Sequence, residues 1–172
     1  AMLPLQGLAQ GAQPIISYNY GAGNSNRVRR AYRLLLICSV CYAMIFCLLI
    51  QLFPGVFAAI FTSNAELLAF TKPMLRIYTL ALGLFGIQIA CQMTFTALGN
   101  AKASIIVAVM RKFILLLPLI YMMPHLYTAD LTKAVFMAEP VADVLAVAFT
   151  GVLFFFEFRK ALRAMPKSEK KS

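Results

Sequence analysis

Side chains that commonly perform catalysis or bind metals are scarce in this sequence. It has one histidine, His125, and four cysteines that all fall inside apolar runs. Cys38 and Cys41 have the C-x-x-C spacing of some redox and metal sites, but within an apolar helix we expect them to pack as small hydrophobic residues. A single histidine cannot form a metal cluster. Because the sequence also has no nucleophile beside a base and no phosphate-binding glycine loop, we expect no enzyme, no metal and no cofactor.

Charged residues are also few, at 13% of the chain, whereas hydrophobic residues make up 62%. The mean hydropathy of +0.80 exceeds what the surface of a soluble domain tolerates. We therefore predict an all-α integral membrane protein whose surroundings are membrane lipids. The net charge of +10 does not indicate nucleic-acid binding, because the basic residues form short clusters between apolar runs. Such clusters are typical of membrane topology signals.

Turn residues divide the chain into five predicted transmembrane helices, each long enough to cross a bilayer. The third is about 35 residues long, or roughly 52 Å at 1.5 Å per residue, which is more than a bilayer needs. We therefore expect a surface turn up to Lys72, a kink at Pro73, and a capping box between Ser63 and Glu66. The predicted membrane domain covers 1–158, with helices at about 1–20, 26–53, 64–98, 103–123 and 133–158, and 159–172 form a basic tail.

Basic residues are distributed unequally between the two sides of these five helices. The cluster from Arg27 to Arg33, the loop at Lys102 and the C-terminal tail fall on one side, whereas few basic residues fall on the other. By the positive-inside rule, that side faces the cytoplasm. We therefore predict a multi-pass protein of the cell membrane whose first helix runs inward and whose C-terminus is cytoplasmic.

The first helix carries an unusual stripe of polar side chains. Spacings of four, three and four residues place them on one face, while Gly7, Gly11 and Pro14 fall on a neighbouring face. An amide without a partner in hydrocarbon costs about 1–3 kcal/mol, so the stripe has to face other polar groups or water. Either it lines a polar pathway beside a discontinuous helix, or it joins this helix to its neighbours. The stripe consists of Gln6, Gln10, Gln13 and Ser17.

A second polar stripe, with spacings of four residues, follows later in the chain and consists of Gln88, Gln92 and Thr96. We hypothesise that the two stripes face each other across a water-filled pocket that takes part in ligand binding. Tyr78, Met93 and Phe95 could supply the apolar and aromatic walls that such a pocket needs. The alternative is that the second stripe only forms hydrogen bonds between helices.

Two acidic residues lie deep inside a predicted membrane span. Glu139 and Asp143 are four residues apart and share a helix face. An ionisable group costs about 2.5–3.5 kcal/mol at the centre of a membrane on insertion scales, so such a pair predicts either ion coupling or a structural ion pair. Arg111, on the adjacent antiparallel helix, lies at a depth from which its side chain could reach Asp143.

Three separate segments carry a family resemblance: "QGLAQGAQPIISYNYGAGNSNRVRRAYR", "FTALGNAKASIIVAVMRKFILLLPLIYMMP" and "AVFMAEPVADVLA". In this order and spacing they resemble the C-terminal lobe of a multidrug and toxic compound extrusion (MATE) transporter, most closely of the bacterial multidrug-export branch. The resemblance implies two six-helix lobes around a cavity and export of organic cations and other drugs in exchange for protons or sodium ions. It also implies a cytoplasmic turn at Gly21, Ala22 and Gly23, and another that begins at Gly99.

The resemblance runs from the family's eighth helix to its twelfth, so the five helices would form most of the C-terminal six-helix lobe of a twelve-helix transporter. The chain opens at Ala1 inside a predicted helix, and we expect a fragment whose partner is the missing N-terminal lobe. This chain alone should not be able to transport. Two alternatives remain: a lipid-linked oligosaccharide flippase of the same superfamily, and a membrane scaffold that does not transport.

Overall fold

The structure is a computed structural model that describes residues 2–126 and 131–165. Within these ranges all regular secondary structure is helical, as the sequence predicts. A 3₁₀ turn, Leu82–Leu84, precedes the fifth helix, and a π-helical segment, Met110–Leu116, joins the sixth helix to the seventh. The helices are α1 (Met2–Gly21), α2 (Ser25–Leu52), α3 (Pro54–Ala59), α4 (Ala65–Tyr78), α5 (Phe85–Ala97), α6 (Ala101–Val109), α7 (Leu117–Leu126) and α8 (Leu131–Ala164).

Three helices in the described part are long and apolar enough to cross a membrane: Ser25–Leu52, Ala101–His125 and Thr132–Ala164. A fourth candidate span is the pair Ala65–Tyr78 and Leu82–Ala97, which are bent by 43° relative to each other. The sequence predicts five spans, whereas the described part of the structure has three or four by length and composition. The remaining helix, α1, is 20 residues long, but its glutamines and glycines lower its hydropathy.

Two of the turns between helices are built from the same Gly-Asn pair. Gly23 and Gly99 have φ angles of +70° and +74°, a left-handed conformation that favours glycine after a helix. The next residue in each case caps the following helix: Asn24 accepts a hydrogen bond from the backbone N–H of Arg27, and Asn100 accepts one from Ala103. Each pair thus ends one helix and begins the next.

The break in the expected third span lies later in the chain than predicted. Pro73 lies inside α4, which continues to Tyr78, and the bend falls at the 3₁₀ turn instead. Carbonyl groups at the end of α4 are bonded from α2: Cys47 Sγ donates to the carbonyl of Thr79 at 3.4 Å, and Gln51 Nε2 donates to that of Arg76 at 2.9 Å. The bond from Gln51 satisfies a carbonyl group in the last turn of α4, whereas the carbonyl of Thr79 also accepts a hydrogen bond from the backbone N–H of Leu82.

The ends of the other predicted helices also differ. Asn64, not Ser63, caps α4, because its Oδ1 accepts hydrogen bonds from the backbone N–H groups of Glu66 and Leu67. The helix α8 continues to Ala164, six residues beyond its expected end, so the first part of the predicted tail is helical. The rest of that tail, 166–172, lies outside the described residues.

Helices α1, α2 and α5 pack together around a buried apolar cluster that includes Leu5, Ile16, Val28 and Leu35. Helices α2 and α5 approach each other closely at Gly86. A Cβ atom added to Gly86 would stand 2.7 Å from the carbonyl carbon of Ser39 and also against its oxygen. By contrast, Gly7 and Gly11 of α1 have open space around them, because an apolar groove lies between Gly11 and α2.

A ridge of small residues forms the buried face of α8. Its members follow one another at intervals of four residues, and each is at most 2% exposed. Rows at this spacing are the ridges by which helices interdigitate. Because the side chains are so short, α8 lies close to α4, α5, α6 and the π-helical segment. We call this set the alanine ridge: Ala134, Ala138, Ala142, Ala146 and Thr150.

Candidate functional site

Three charged side chains meet inside the helix bundle. Arg111 Nε donates a hydrogen bond to Asp143 Oδ1 at 2.7 Å, and Arg111 Nη2 donates to Glu139 Oε1 at 3.0 Å. Only 15% of the Arg111 side chain is exposed, against 19% for Glu139 and 9% for Asp143. The guanidinium carbon also lies 4.8 Å from the centre of the Phe85 ring. One arginine therefore compensates two carboxylates while contacting an aromatic face.

Arg111 belongs to the π-helical segment, whereas both acids lie on α8, beside the alanine ridge. A π-helical turn contains an extra residue, is rare in proteins and is frequently found at functional sites. It changes the direction of the side chains that follow relative to a continuous α-helix. The acids are four residues apart, so a single turn of α8 presents both to the same guanidinium.

A cavity of about 600 Å³ opens beside this ionic cluster. Its walls come from helices that are far apart in sequence, and most of them are aromatic or aliphatic. Among the predicted residues, only Tyr78 and the three members of the ionic cluster line it. We call it the aromatic cavity, lined by Met2, Phe46, Ile50, Phe57, Ile60, Phe61, Leu75, Tyr78, Thr79, Leu82, Phe85, Arg111, Glu139 and Asp143.

The two predicted polar stripes meet in part, at a second and smaller cavity of about 240 Å³. Gln6 and Gln10 line it from α1, and Gln92 and Thr96 line it from α5. Met93, predicted as a wall, also lines it, together with Ile89 and Ser104. We call this space the glutamine cavity. The cavity lies between α1 and α5, and its polar lining groups are neutral.

The other members of the stripes lie outside the glutamine cavity. Gln13 is half-buried and Ser17 is exposed, whereas Gln88 is only 3% exposed, and its Oε1 has no hydrogen-bond partner among the described residues. Phe95 is not a cavity wall, because it is fully buried and packs against Phe154 with ring centres 5.3 Å apart.

Most of the aromatic cavity gives no signal in the amino-acid sequence. Phe46, Phe57 and Phe61 each fall in an apolar stretch, where an aromatic residue gives no sign that it faces a cavity. The one available signal is the pair of acidic residues in a membrane span, because their carboxylates need polar groups or water around them. Phe85 could have been inferred from Arg111, since a buried guanidinium often lies over an aromatic ring.

The MatE family profile matches residues 1–122, well over half of the chain. The chain belongs to the MatE family. Members of this family are membrane transporters, not enzymes. No curated protein matches this chain.

Solved MATE transporters have the same fold as this MatE chain. The MATE multidrug transporter DinF-BH, whose structure is a complex with a ligand, is 30% identical, with a TM-score of 0.83. An inward-facing multidrug resistance MATE transporter of the MOP superfamily is 18% identical, with a TM-score of 0.86, and a mutant of the Vibrio cholerae MATE transporter VcmN is 19% identical, with a TM-score of 0.82. The matches cover 94%, 96% and 92% of this chain, but only 35%, 38% and 36% of the transporters.

Proposed function

We propose that this chain forms most of the C-terminal lobe of a secondary active multidrug exporter in the cell membrane, with its C-terminus in the cytoplasm. The observation that carries this proposal is the aromatic cavity with two carboxylates at its wall. Its volume of about 600 Å³ falls in the range of roughly 300–1,000 Å³ that is typical for drug-sized ligands. Aromatic faces attract organic cations, and two carboxylates against one arginine leave the ionic cluster with a net negative charge, so such a cavity suits amphipathic drugs with a positive charge.

The glutamine cavity contributes to the same pathway in this proposal. At about 240 Å³ it is too small for a whole drug, but it can hold water or the polar end of a ligand. Neutral amides provide hydrogen bonds without a fixed charge, so a bound cation is not held too tightly to leave. Gln6, Gln10 and Gln92 would therefore support passage of substrates.

Export against a gradient needs a coupling ion, which we propose to be a proton or a sodium ion. The ionic cluster of Arg111, Glu139 and Asp143 either takes part in this coupling or serves as a structural ion pair. The two roles differ in their response to Asp143→Asn in the complete transporter. Unchanged coupling with a lower protein yield assigns the cluster to structure, whereas altered coupling at a normal yield assigns it to transport.

An oligosaccharide flippase with the same fold is the nearest alternative. Such a protein needs several free basic residues in its cavity to bind a pyrophosphate. In the aromatic cavity the basic residue is Arg111, which is already bonded to two carboxylates, and the glutamine cavity is lined by neutral side chains. Both observations favour drug export. A scaffold without transport activity has no use for either cavity.

The test is efflux of a fluorescent cationic dye from cells that express the complete transporter containing this chain. The proton and sodium gradients are collapsed in turn, each with its own ionophore. Loss of efflux with one gradient supports antiport and identifies the coupling ion. Dye retention equal to that of empty cells under all conditions would contradict drug export, and an assay for lipid-linked sugars would then test the flippase.

A further inference from the structure

A third space, a groove of about 530 Å³, lies between the first turns of α2 and the last turns of α8. It shares no lining residue with the aromatic cavity or the glutamine cavity. Three arginines stand along it: Arg29 and Arg33 on α2, and Arg159 on α8. Because Arg29 and Arg33 are four residues apart, they project from one face of their helix. We call this space the basic groove.

The positive charge of the basic groove is not compensated locally. All three arginines are exposed, and among the residues that the structure describes no acidic one lines the groove. Within the described residues none of the three forms an ion pair, although Arg159 lies over the ring of Phe155 at 4.8 Å. Their guanidinium groups are therefore available to an anion from outside the chain, and the planar fork of each suits phosphate oxygens.

The floor of the groove is apolar and consists of stacked aromatic rings. Tyr32 stacks on Phe154 with ring centres 4.6 Å apart, and Phe154 stacks on Phe158 at 4.8 Å. The Tyr32 hydroxyl is engaged with Cys91 Sγ at 3.6 Å, so the ring, not the hydroxyl, faces the groove. A basic rim over an aromatic floor matches a ligand with an anionic head and a hydrocarbon tail.

We propose that the basic groove binds an anionic phospholipid. The phosphate lies among Arg29, Arg33 and Arg159, and an acyl chain runs over the aromatic floor past Gly151. The positive-inside rule assigns this end of α2 and α8 to the cytoplasmic surface, where anionic lipids are concentrated. Basic pockets between transmembrane helices on that side suit such head groups. The proposal does not depend on the transport function, because it uses a different part of the bundle.

The apolar floor distinguishes a phospholipid from a free phosphate ion. Inorganic phosphate could contact the arginines, but it would leave the exposed ring of Phe155 and the half-buried ring of Phe158 uncovered. A phospholipid covers both parts of the groove at once. The shape and the charge of the groove therefore favour the lipid.

The test is native mass spectrometry of the full-length protein in neutral detergent, titrated with phosphatidylglycerol or with phosphatidylethanolamine. We expect phosphatidylglycerol to bind more tightly. Each arginine near a membrane surface contributes about fivefold to affinity, so Arg29→Gln with Arg33→Gln should weaken phosphatidylglycerol binding about 25-fold. The matched control is Arg27→Gln with Arg30→Gln, which removes the same charge from the same helix but outside the groove. Equal weakening by both pairs would overturn the proposal in favour of a diffuse surface charge.

A second variant tests the shape of the groove without changing its charge. Gly151 has no atom within 4 Å of an added Cβ, so Gly151→Leu should fold normally and fill the groove. We expect this variant to lose phosphatidylglycerol binding at least tenfold, while its apparent Tm stays unchanged. Retained binding in Gly151→Leu would contradict the site. Displacement of the lipid by millimolar inorganic phosphate alone would instead identify a site for a free anion.

Discussion

Replacing Arg111 with glutamine should destabilise the protein more than any other single loss of charge in the described residues. Arg111 is the shared partner of Glu139 and Asp143, at 3.0 and 2.7 Å. Its removal leaves two carboxylates, four residues apart on one helix, without a positive charge. Both are largely shielded from solvent, since their side chains are 19% and 9% exposed.

The size of the effect follows from this burial. Breaking a buried ion pair by removing one partner costs about 3–5 kcal/mol, because the remaining charge is left uncompensated. Glu139 retains some solvent, so we expect a value near the lower end, about 3 kcal/mol. Replacing all three groups with neutral side chains of similar size should be much less harmful, since no buried charge then remains. The triple variant is Arg111→Met, Glu139→Gln and Asp143→Asn.

The assay is the apparent Tm of the full-length protein in detergent, measured with a thiol-reactive dye. Lys112→Gln is the matched control, because Lys112 is the next residue in the chain but is exposed. We expect the Tm of Arg111→Gln to fall well below that of Lys112→Gln, and that of the triple variant to recover most of the loss. A Tm of Arg111→Gln equal to that of the control, or a triple variant as unstable as Arg111→Gln alone, would refute this reasoning.

Three further changes test other contacts. Gly86→Ala should lower the free energy of unfolding by about 1–3 kcal/mol, because the added Cβ meets the backbone of α2. Gly11→Ala should be tolerated, because Gly11 has open space around it. Comparison of the Tm values of the two variants checks this. Asn100→Ala should cost about 1–2 kcal/mol by removing the cap of α6, and faster hydrogen exchange in the first turn of that helix would reveal it. Gln92→Leu should reduce dye efflux at normal protein yield, whereas Gln13→Leu should not, because Gln13 lies outside the glutamine cavity. Equal efflux in both variants would exclude a role for that cavity.

Much of the fold follows from local signals in the sequence. The helical class follows from composition, and the turns at Gly23 and Gly99 follow from the conformational freedom of glycine followed by a capping asparagine. The approach of Arg111 to Asp143 could be anticipated by counting residues from the ends of two neighbouring antiparallel helices. That estimate needs only the rise per residue of a helix.

Features that depend on tertiary contacts could not be predicted in the same way. The bend was expected at Pro73, but it lies where Cys47 and Gln51 of α2 bond to carbonyl groups at the end of α4. Nothing local to residues 79–84 shows that these donors are available. The π-helical segment is likewise not visible in its own sequence, "MRKFILL", which is as compatible with an α-helix.

The sequence singles out the polar groups of the candidate site, but of its walls it indicates only Tyr78 and Met93. Polar residues inside a membrane are costly and therefore conspicuous, as Gln92 and Asp143 illustrate. Phe46 and Phe57 are ordinary in such surroundings, and only the packing of α2 and α3 shows that they face one cavity. The spacing of the first stripe also suggested one shared face for Gln6 and Gln13, but only Gln6 reaches the glutamine cavity.

The alanine ridge has a consequence for mutational tolerance along α8. Glu139 and Asp143 each follow a ridge residue, Ala138 and Ala142, by one position, so the ridge determines where both carboxylates lie. A larger side chain on the ridge would push α8 away from its neighbours and carry both acids away from their shared arginine. Phe156, by contrast, is 65% exposed and has room to vary. The short side chains of the alanine ridge are therefore among the least replaceable of this helix, whereas large exposed ones such as Phe156 are among its most replaceable.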